Sequence, residues 1–422
     1  MRKCTELKNK IRVVTQQLKD RESVALGVWV GVGGRYENDQ NKGIAHFLEH
    51  IVFKGSKKYG CEAIKQGIEG IGGGLNAFTS EEQTCYYAKV PNAYLNKAFD
   101  ILSDMVFYPT IASIDVAKEK TVILEEIKMY HDLPQYYVME LLDGLIWPDH
   151  PVGKSLAGTA QSVSGLTREH LVDYRSEHYQ PNRIVISAAG SVDHDRLVQL
   201  ISKKLSSLKG ECRKHYLGVQ NRQAPSRVHL FKKDTEQMHL AVGSLGIETN
   251  HPDLYTLAIL NIILGGNMSS RLFNEVREKR GLAYSISSGI KSLDDTGVFM
   301  IRAGVDNHKI VEAVELILKV LEKIAKNGVT DDELKRAKDY YTGQFQLALE
   351  DTQDYMLWIG ETLISNDMVR TLEDVLKKIR QVTTVDIKRV ARTILPLQKM
   401  NLAVVGPLNE AQNKSLKGLI SD

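Results

Sequence analysis

A chain of 422 residues exceeds one ordinary domain and points to two of about 200 residues each, and its 43% hydrophobic share supplies side chains for two cores. Its 55 basic and 52 acidic residues nearly cancel, to a net charge of +3, and they are scattered, so neither a nucleic-acid partner nor an anionic membrane is expected. Cys4, Cys61, Cys85 and Cys212 have no C-x-x-C spacing and no paired pattern, which argues against a thiolate metal site or a disulfide scaffold and fits reduced thiols in a cytoplasmic protein.

The amino-terminal twenty residues carry an early basic pair but no apolar core of signal-peptide length, and no segment reaches the ~18 to 20 apolar residues of a membrane span. The first predicted element is a strand in VALGVWVGVGG, where Val24, Leu26, Val28, Val30 and Val32 alternate with mostly small residues. Next comes His46-Phe47-Leu48-Glu49-His50, an H-x-x-E-H pattern, the inverse of the commoner H-E-x-x-H. On a helix, residues 46 and 50 lie one above the other, so both rings reach one ion while Glu49 sits beside them. Two imidazoles and one further oxygen make the open site of a catalytic zinc, whose water becomes acidic enough for Glu49 to take its proton. Manganese or cobalt also suits such a nitrogen and oxygen site.

The segment from Gly72 to Val90 passes from glycines into NAFTSEEQTCYYAKV and predicts a strand entered through a flexible turn. At a sheet edge such a strand pairs with an extended peptide, with Asn76, Ala77 and Phe78 as its contacts. The glycine run 70–74 lacks the G-K-[ST] ending of a phosphate loop and reads as a hinge. A helix then covers Val116 to Tyr130, with Glu119 and Glu126 two turns apart on one face as carboxylate candidates and Glu125 pointing about 100° away. Helices continue to about Ile146, and RIVISAAG is a strand. His131, His150 and His178 fall in polar loops or near helix ends and read as surface or capping residues.

The polar stretch from Ser206 to Ser226 suits a linker, after which the order repeats. QMHLAVGSLGI is a strand, HPDLYTLAILNIIL a helix stopped by Gly265-Gly266, RLFNEVREK a helix, YSISSGI and VFMIRAGV a strand pair, residues 308–379 long helices, and MNLAVVG a strand. The second half has LNIILGGN where the first has its histidine motif, so metal belongs to the first half alone. Arg277 and Tyr284 offer fixed donors to a peptide carbonyl or to the oxyanion formed on attack, whereas Lys279 and Arg280 read as solvated neighbours.

HFLEH followed about 75 residues later by the second Glu of E-K-x-V-I-L-E-E resembles the pitrilysin-type (M16, inverzincin) metallopeptidases. The short-chain branch is the nearer likeness, that of the mitochondrial processing peptidase beta subunit and its bacterial relatives. GGLNAFTS from Gly73 to Ser80 and RLFNEVREKRGLAY from Arg271 to Tyr284 extend the likeness over nearly the whole chain. The resemblance implies one Zn2+ per chain held by His46, His50 and Glu126, with Glu49 as general base and Glu119 supporting a ligand. It implies an α+β fold of two homologous domains, 1–215 binding zinc and 216–422 carrying Arg277 and Tyr284, each a mixed or antiparallel sheet flanked by helices. It further implies one half of a clamshell chamber for unfolded peptides, completed as a homodimer or as a heterodimer with a metal-free relative. The alternative within the same fold is a non-catalytic structural or peptide-binding subunit.

Overall fold

A computed structural model describes residues 1–213, 215–221 and 225–421, so four positions of the expected linker, 214 and 222–224, lie outside the described residues. The chain forms an α+β architecture of two compact units: Met1–Ile127, Ser155–Leu217 and Gln346–Arg370 make unit 1, and Lys128–Lys154, Gly218–Phe345 and Thr371–Asp422 make unit 2. The expected single division after residue 215 is therefore corrected, because residues 128–154 fold with the later unit and 346–370 with the earlier one. The physical reason is burial: each sheet needs an apolar helix on its second face, and each takes it from these stretches.

Unit 1 is built on β1 (Arg2–Glu6), β2 (Arg12–Gln17), β3 (Ser23–Val30), β4 (Gly74–Thr79), β5 (Thr84–Pro91) and β6 (Ile184–Gly190), in the order β1-β2-β6-β3-β5-β4. Only β2 and β6 run parallel among these described pairs. Val24, Leu26, Val28 and Val30 of β3 pack with Phe47, Leu48, Phe99 and Leu102 of the helices α1 (Ile44–Ile51) and α2 (Leu95–Phe107), together with Ile123 of α3 (Ser113–Asp132). Trp29 points to the opposite face, toward Ile359 and Leu363 further along the chain. With both faces covered, β3 is buried from Val24 to Val30, which explains why its alternation in sequence is apolar with small rather than apolar with polar.

Unit 2 carries β7 (Val228–Lys232), β8 (Met238–Leu245), β9 (Ala283–Ser292), β10 (Gly297–Val305) and β11 (Asn401–Gly406), in the order β7-β11-β8-β10-β9. That order repeats β2-β6-β3-β5-β4 strand for strand, with β7 and β11 as its parallel pair, so β1 is the addition peculiar to unit 1. The helix α4 (Pro134–Ile146) lays Val138 and Leu142 against Ala241 of β8 and Ala403 and Val405 of β11. The helix α5 (Thr352–Asn366) plays the same part for unit 1.

Sequence reading misses β1, β2 and β7, and takes the hairpin of β4 and β5 for one strand; the reversal is made by Ser80, whose N–H and hydroxyl donate to the Gln83 carbonyl. The stretch RLFNEVREK is helical but winds as a π-helix over Phe273–Glu278. His178 corrects the surface expectation, being buried beside Tyr174 and Tyr36, whereas the His150 side chain accepts from the Val152 N–H as a cap. Among the described residues no helix is long and apolar enough to cross a membrane.

Two packing features give measurable expectations. Gly360 of α5 lies so close to the sheet that a Cβ would fall 2.1 Å from Trp29 Nε1 and 2.7 Å from Ser187 Oγ, two atoms that hydrogen-bond at 2.8 Å. Gly360→Ala is expected to cost roughly 1–3 kcal/mol through overpacking, measured as a lowered urea midpoint. In unit 2, Arg271 grips Glu333 with Nε to Oε1 at 2.8 Å and an η-nitrogen to Oε2 at 2.7 Å, and this guanidinium, against the cost of burial, holds the carboxyl down at about 2. A depressed carboxyl stabilises the fold above its ordinary value of 4.5 and loses that stabilisation as pH falls toward about 2. Acid unfolding should therefore show a wild-type advantage over Glu333→Gln, of the order of 1–2 kcal/mol after solvent screening, that is full above pH 4.5 and gone near pH 2.

Candidate metal centre

Helix α1 begins at Gly43, whose φ of 92° lies in the left-handed region and whose missing Cβ would fall 2.6 Å from the Ala157 carbonyl oxygen. Glycine has no side chain to cap the helix, and the orphan donors are taken by a distant carboxylate. Glu37 accepts from the Gly43 N–H at 3.0 Å and the Ala45 N–H at 2.8 Å. Lys42, as buried as Glu37, lies 3.1 Å from Glu37 Oε2 and donates to the Gly34 carbonyl at 2.9 Å. The start of the helix is thus fixed one turn before its first histidine.

His46 and His50 face one another with ring centroids 4.6 Å apart. Glu126 of α3 meets both: Oε1 lies 3.9 Å from His46 Nε2, and Oε2 lies 3.4 Å from His50 Nε2. The ligand atoms of these three side chains all fall within 4.8 Å of one another. Ligands about 2.0–2.2 Å from a tetrahedral ion sit roughly 3.3 Å from each other, so small side-chain rotations complete the site. Two imidazoles and a carboxylate fit zinc, with one position left open.

The electrostatics suit ligation. Burial, reinforced by the neighbouring His50, lowers His46 to about 4, which keeps it neutral at physiological pH. For His50 burial pulls down, but the hydrogen bond to Glu119 and the charge of Glu126 outweigh it and raise the group. Glu119 Oε1 lies 2.9 Å from His50 Nδ1, which turns Nε2 toward Glu126. Among the described residues His46 has no such anchor, since its Nδ1 is buried with no hydrogen-bond partner there. Glu49, beside the ligands, accepts from the Thr79 hydroxyl at 2.6 Å, and burial raises its carboxyl above the ordinary range although Thr79 pulls the other way.

β4 is the outer strand of its sheet, paired only to β5 among the described strands. Thr79 ties the strand to Glu49, and the alternation puts Leu75 and Ala77 on the Thr79 side, with both packed against the helix-facing core. The Ala77 N–H is held by the Asn76 Oδ1 at 2.8 Å. The Phe78 ring, expected as a peptide contact, is half-buried on the other face of the strand, edge-on to Trp29 at 5.7 Å and packed against the core beneath α5. Arg277 and Tyr284 belong to unit 2. Arg277 stacks over Phe273 at 4.6 Å, Tyr284 is the second residue of β9 with 62% of its surface exposed, and Lys279 and Arg280 are both paired with Glu275. Sequence reasoning missed Thr79, Glu37 and Lys42, which no metal or catalytic pattern marks.

Residues 12–160 match the family described as Insulinase (Peptidase family M16), and residues 165–341 match the Peptidase M16 inactive domain. An uncharacterized zinc protease of Bacillus subtilis is 36% identical over 94% of this chain and 97% of its own length. An uncharacterized zinc protease of Mycobacterium tuberculosis is 37% identical over 96% of this chain and 92% of its own. The chain belongs to peptidase family M16. The crystal structure of a Helicobacter pylori protease has the same architecture, with a TM-score of 0.91 at 25% identity over 96% of this chain and 99% of that one. An M16 inactive-domain structure from Pseudomonas fluorescens shares the fold at a TM-score of 0.90 and 22% identity, covering 97% of this chain and 98% of that one. All three candidate ligands and Glu49 fall in the Insulinase-matching part, and the inactive-domain match covers Arg277 and Tyr284.

Proposed function

We propose that this M16 family member is a zinc metalloendopeptidase that hydrolyses unfolded or extended peptides. The observation that carries the reading is the convergence of His46, His50 and Glu126 within 4.8 Å, with the Glu49 carboxylate alongside. The name zinc protease borne by relatives such as that of Bacillus subtilis supports zinc as the ion, and the single candidate cluster among the described residues would hold one per chain. When bound, zinc polarises the scissile carbonyl and lowers the pKa of a water molecule toward about 7.

The chain's own residues do the rest. Glu49, lifted by burial, takes the proton of the attacking water and delivers it to the departing amine, while Thr79 holds its carboxylate in place. The backbone of β4 at Asn76 and Ala77 adds an extended peptide to the sheet, the Asn76 side chain giving up its hold on the Ala77 N–H. Phe78 continues the same edge toward Thr79. Arg277 and Tyr284 donate to the peptide carbonyl from a second subunit, either another copy of this chain or a metal-free relative, which closes a chamber that admits unfolded substrates. The thiols fit a cytoplasmic setting.

A non-catalytic subunit of this fold has no use for an intact set of His46, Glu49, His50 and Glu126, so the catalytic reading is preferred. Metal analysis of the purified chain with cleavage of a quenched fluorescent peptide tests it: one zinc per chain and chelator-sensitive turnover are expected. Protein that binds no metal, or binds it and cleaves nothing, ends the proposal. Light scattering under assay conditions tests the shared site, for which a fully active monomer is the contrary result.

A further inference from the structure

The chain leaves α1 through a tight turn in which Lys54 stands four residues after His50. The backbone on its C-terminal side sets its place: Gly55, at a φ of 145°, bridges to Gly60, and the Gly55 carbonyl accepts from the Thr110 N–H at 3.0 Å. From there the Lys54 ammonium reaches Glu119 Oε2 at 2.6 Å, while the other oxygen of the same carboxylate meets His50 Nδ1 at 2.9 Å. Glu119 is nearly closed to solvent, with 5% of its side chain exposed, and Lys54 retains 32%.

We infer that Lys54 is a positioning residue of the metal centre: it clamps the Glu119 carboxylate so that His50 presents Nε2, and it keeps Glu119 from replacing Glu126 as the ligand. The inference rests on the proposed ligand set. Glu119 and Glu126 stand on the same face of α3, two turns apart, so the centre must distinguish two carboxylates that both lie near His50. Lys54 makes that distinction by engaging one of them. Without it, Glu119 Oε2 is left as a buried anionic acceptor with no partner, a costly state that rotation of the side chain relieves. Rotation removes the acceptor from His50 Nδ1, and the imidazole loses the anchor that aims it. Among the described residues His46 lacks an equivalent anchor, so the orientation of His50 governs how well formed the site is before metal arrives.

The test uses the full chain, stripped of metal, as wild type, Lys54→Met, Lys54→Gln and Lys54→Arg, with zinc affinity measured by competition against a chromophoric chelator. Lys54→Met and Lys54→Gln are expected to bind zinc about 10- to 100-fold more weakly, and Lys54→Arg, which keeps the charge, to return to within a few-fold of wild type. At saturating zinc, kcat of the neutral variants should stay below the wild-type value and Lys54→Arg should restore it, because the loaded centre no longer holds His50 and Glu126 in place. Thermal melting of the metal-free proteins identifies any variant that is misfolded, and Lys54→Gln, the milder change, then carries the comparison. Neutral variants that are folded and bind zinc within about twofold of wild type overturn the inference alone. A wild-type chain that binds no zinc overturns the ligand set and this inference with it.

Discussion

Glu49→Gln is expected to retain its zinc and to lose about 10²- to 10⁴-fold in kcat, the range that a positioned general base contributes. The amide keeps the size of the side chain and an acceptor oxygen for the Thr79 hydroxyl, now 2.6 Å from Glu49 Oε2, so local packing should survive. What it loses is the ability to take a proton. Glu49 is also suited to giving the proton back, since burial places its carboxyl above the usual range and narrows the gap to the groups it exchanges with. The loss should therefore fall on kcat and on kcat/KM alike, with metal content unchanged. A Glu49→Gln enzyme that turns over at a tenth of the wild-type rate or better would remove this residue from the reaction.

The second large effect is on folding. Glu37→Ala removes one member of a pair that is almost wholly buried, taking the carboxylate away from Lys42 and the acceptor from the Gly43 and Ala45 N–H groups. Breaking a buried pair by deleting one partner costs about 3–5 kcal/mol, and the uncapped helix adds to it. Urea denaturation of the metal-free protein should show a midpoint lowered accordingly, with the slope unchanged. Removing both charges, as Glu37→Leu with Lys42→Met, should recover part of the loss, because no charge then remains unpaired. A midpoint for Glu37→Ala equal to that of wild type contradicts the capping role.

The cluster at residues 46, 50 and 126 was partly legible in spacing, with rings four positions apart and a helix bearing carboxylates seven apart, and the M16 resemblance chose Glu126 over Glu119. The strands β3, β6, β8, β10 and β11 were legible too, since their apolar runs exceed what a loop tolerates. The partners of the site residues left no such trace. Thr79, Lys54 and Glu37 are common polar residues whose meaning comes from what the fold brings to them across 30 residues or more, or across a turn. The face on which Phe78 lies was not legible, because neighbouring residues on a strand face opposite ways, and the sequence does not say which face looks toward the helices. The single boundary after residue 215 fails for a related reason: α4 and α5 look like any amphipathic helix, and nothing local names the sheet each will cover.

That exchange of helices constrains how the polypeptide can be cut. A fragment ending at residue 215 would carry the β1–β6 sheet without α5, leaving Trp29, Cys85 and Val185 bare, and the complementary fragment would lack α4 over Ala241, Ala403 and Val405. Each piece alone would display a broad greasy surface and clump. Ribosomal synthesis faces the same situation in time, because the first sheet must wait about 150 further residues for its lid, a delay during which chaperones have a natural target.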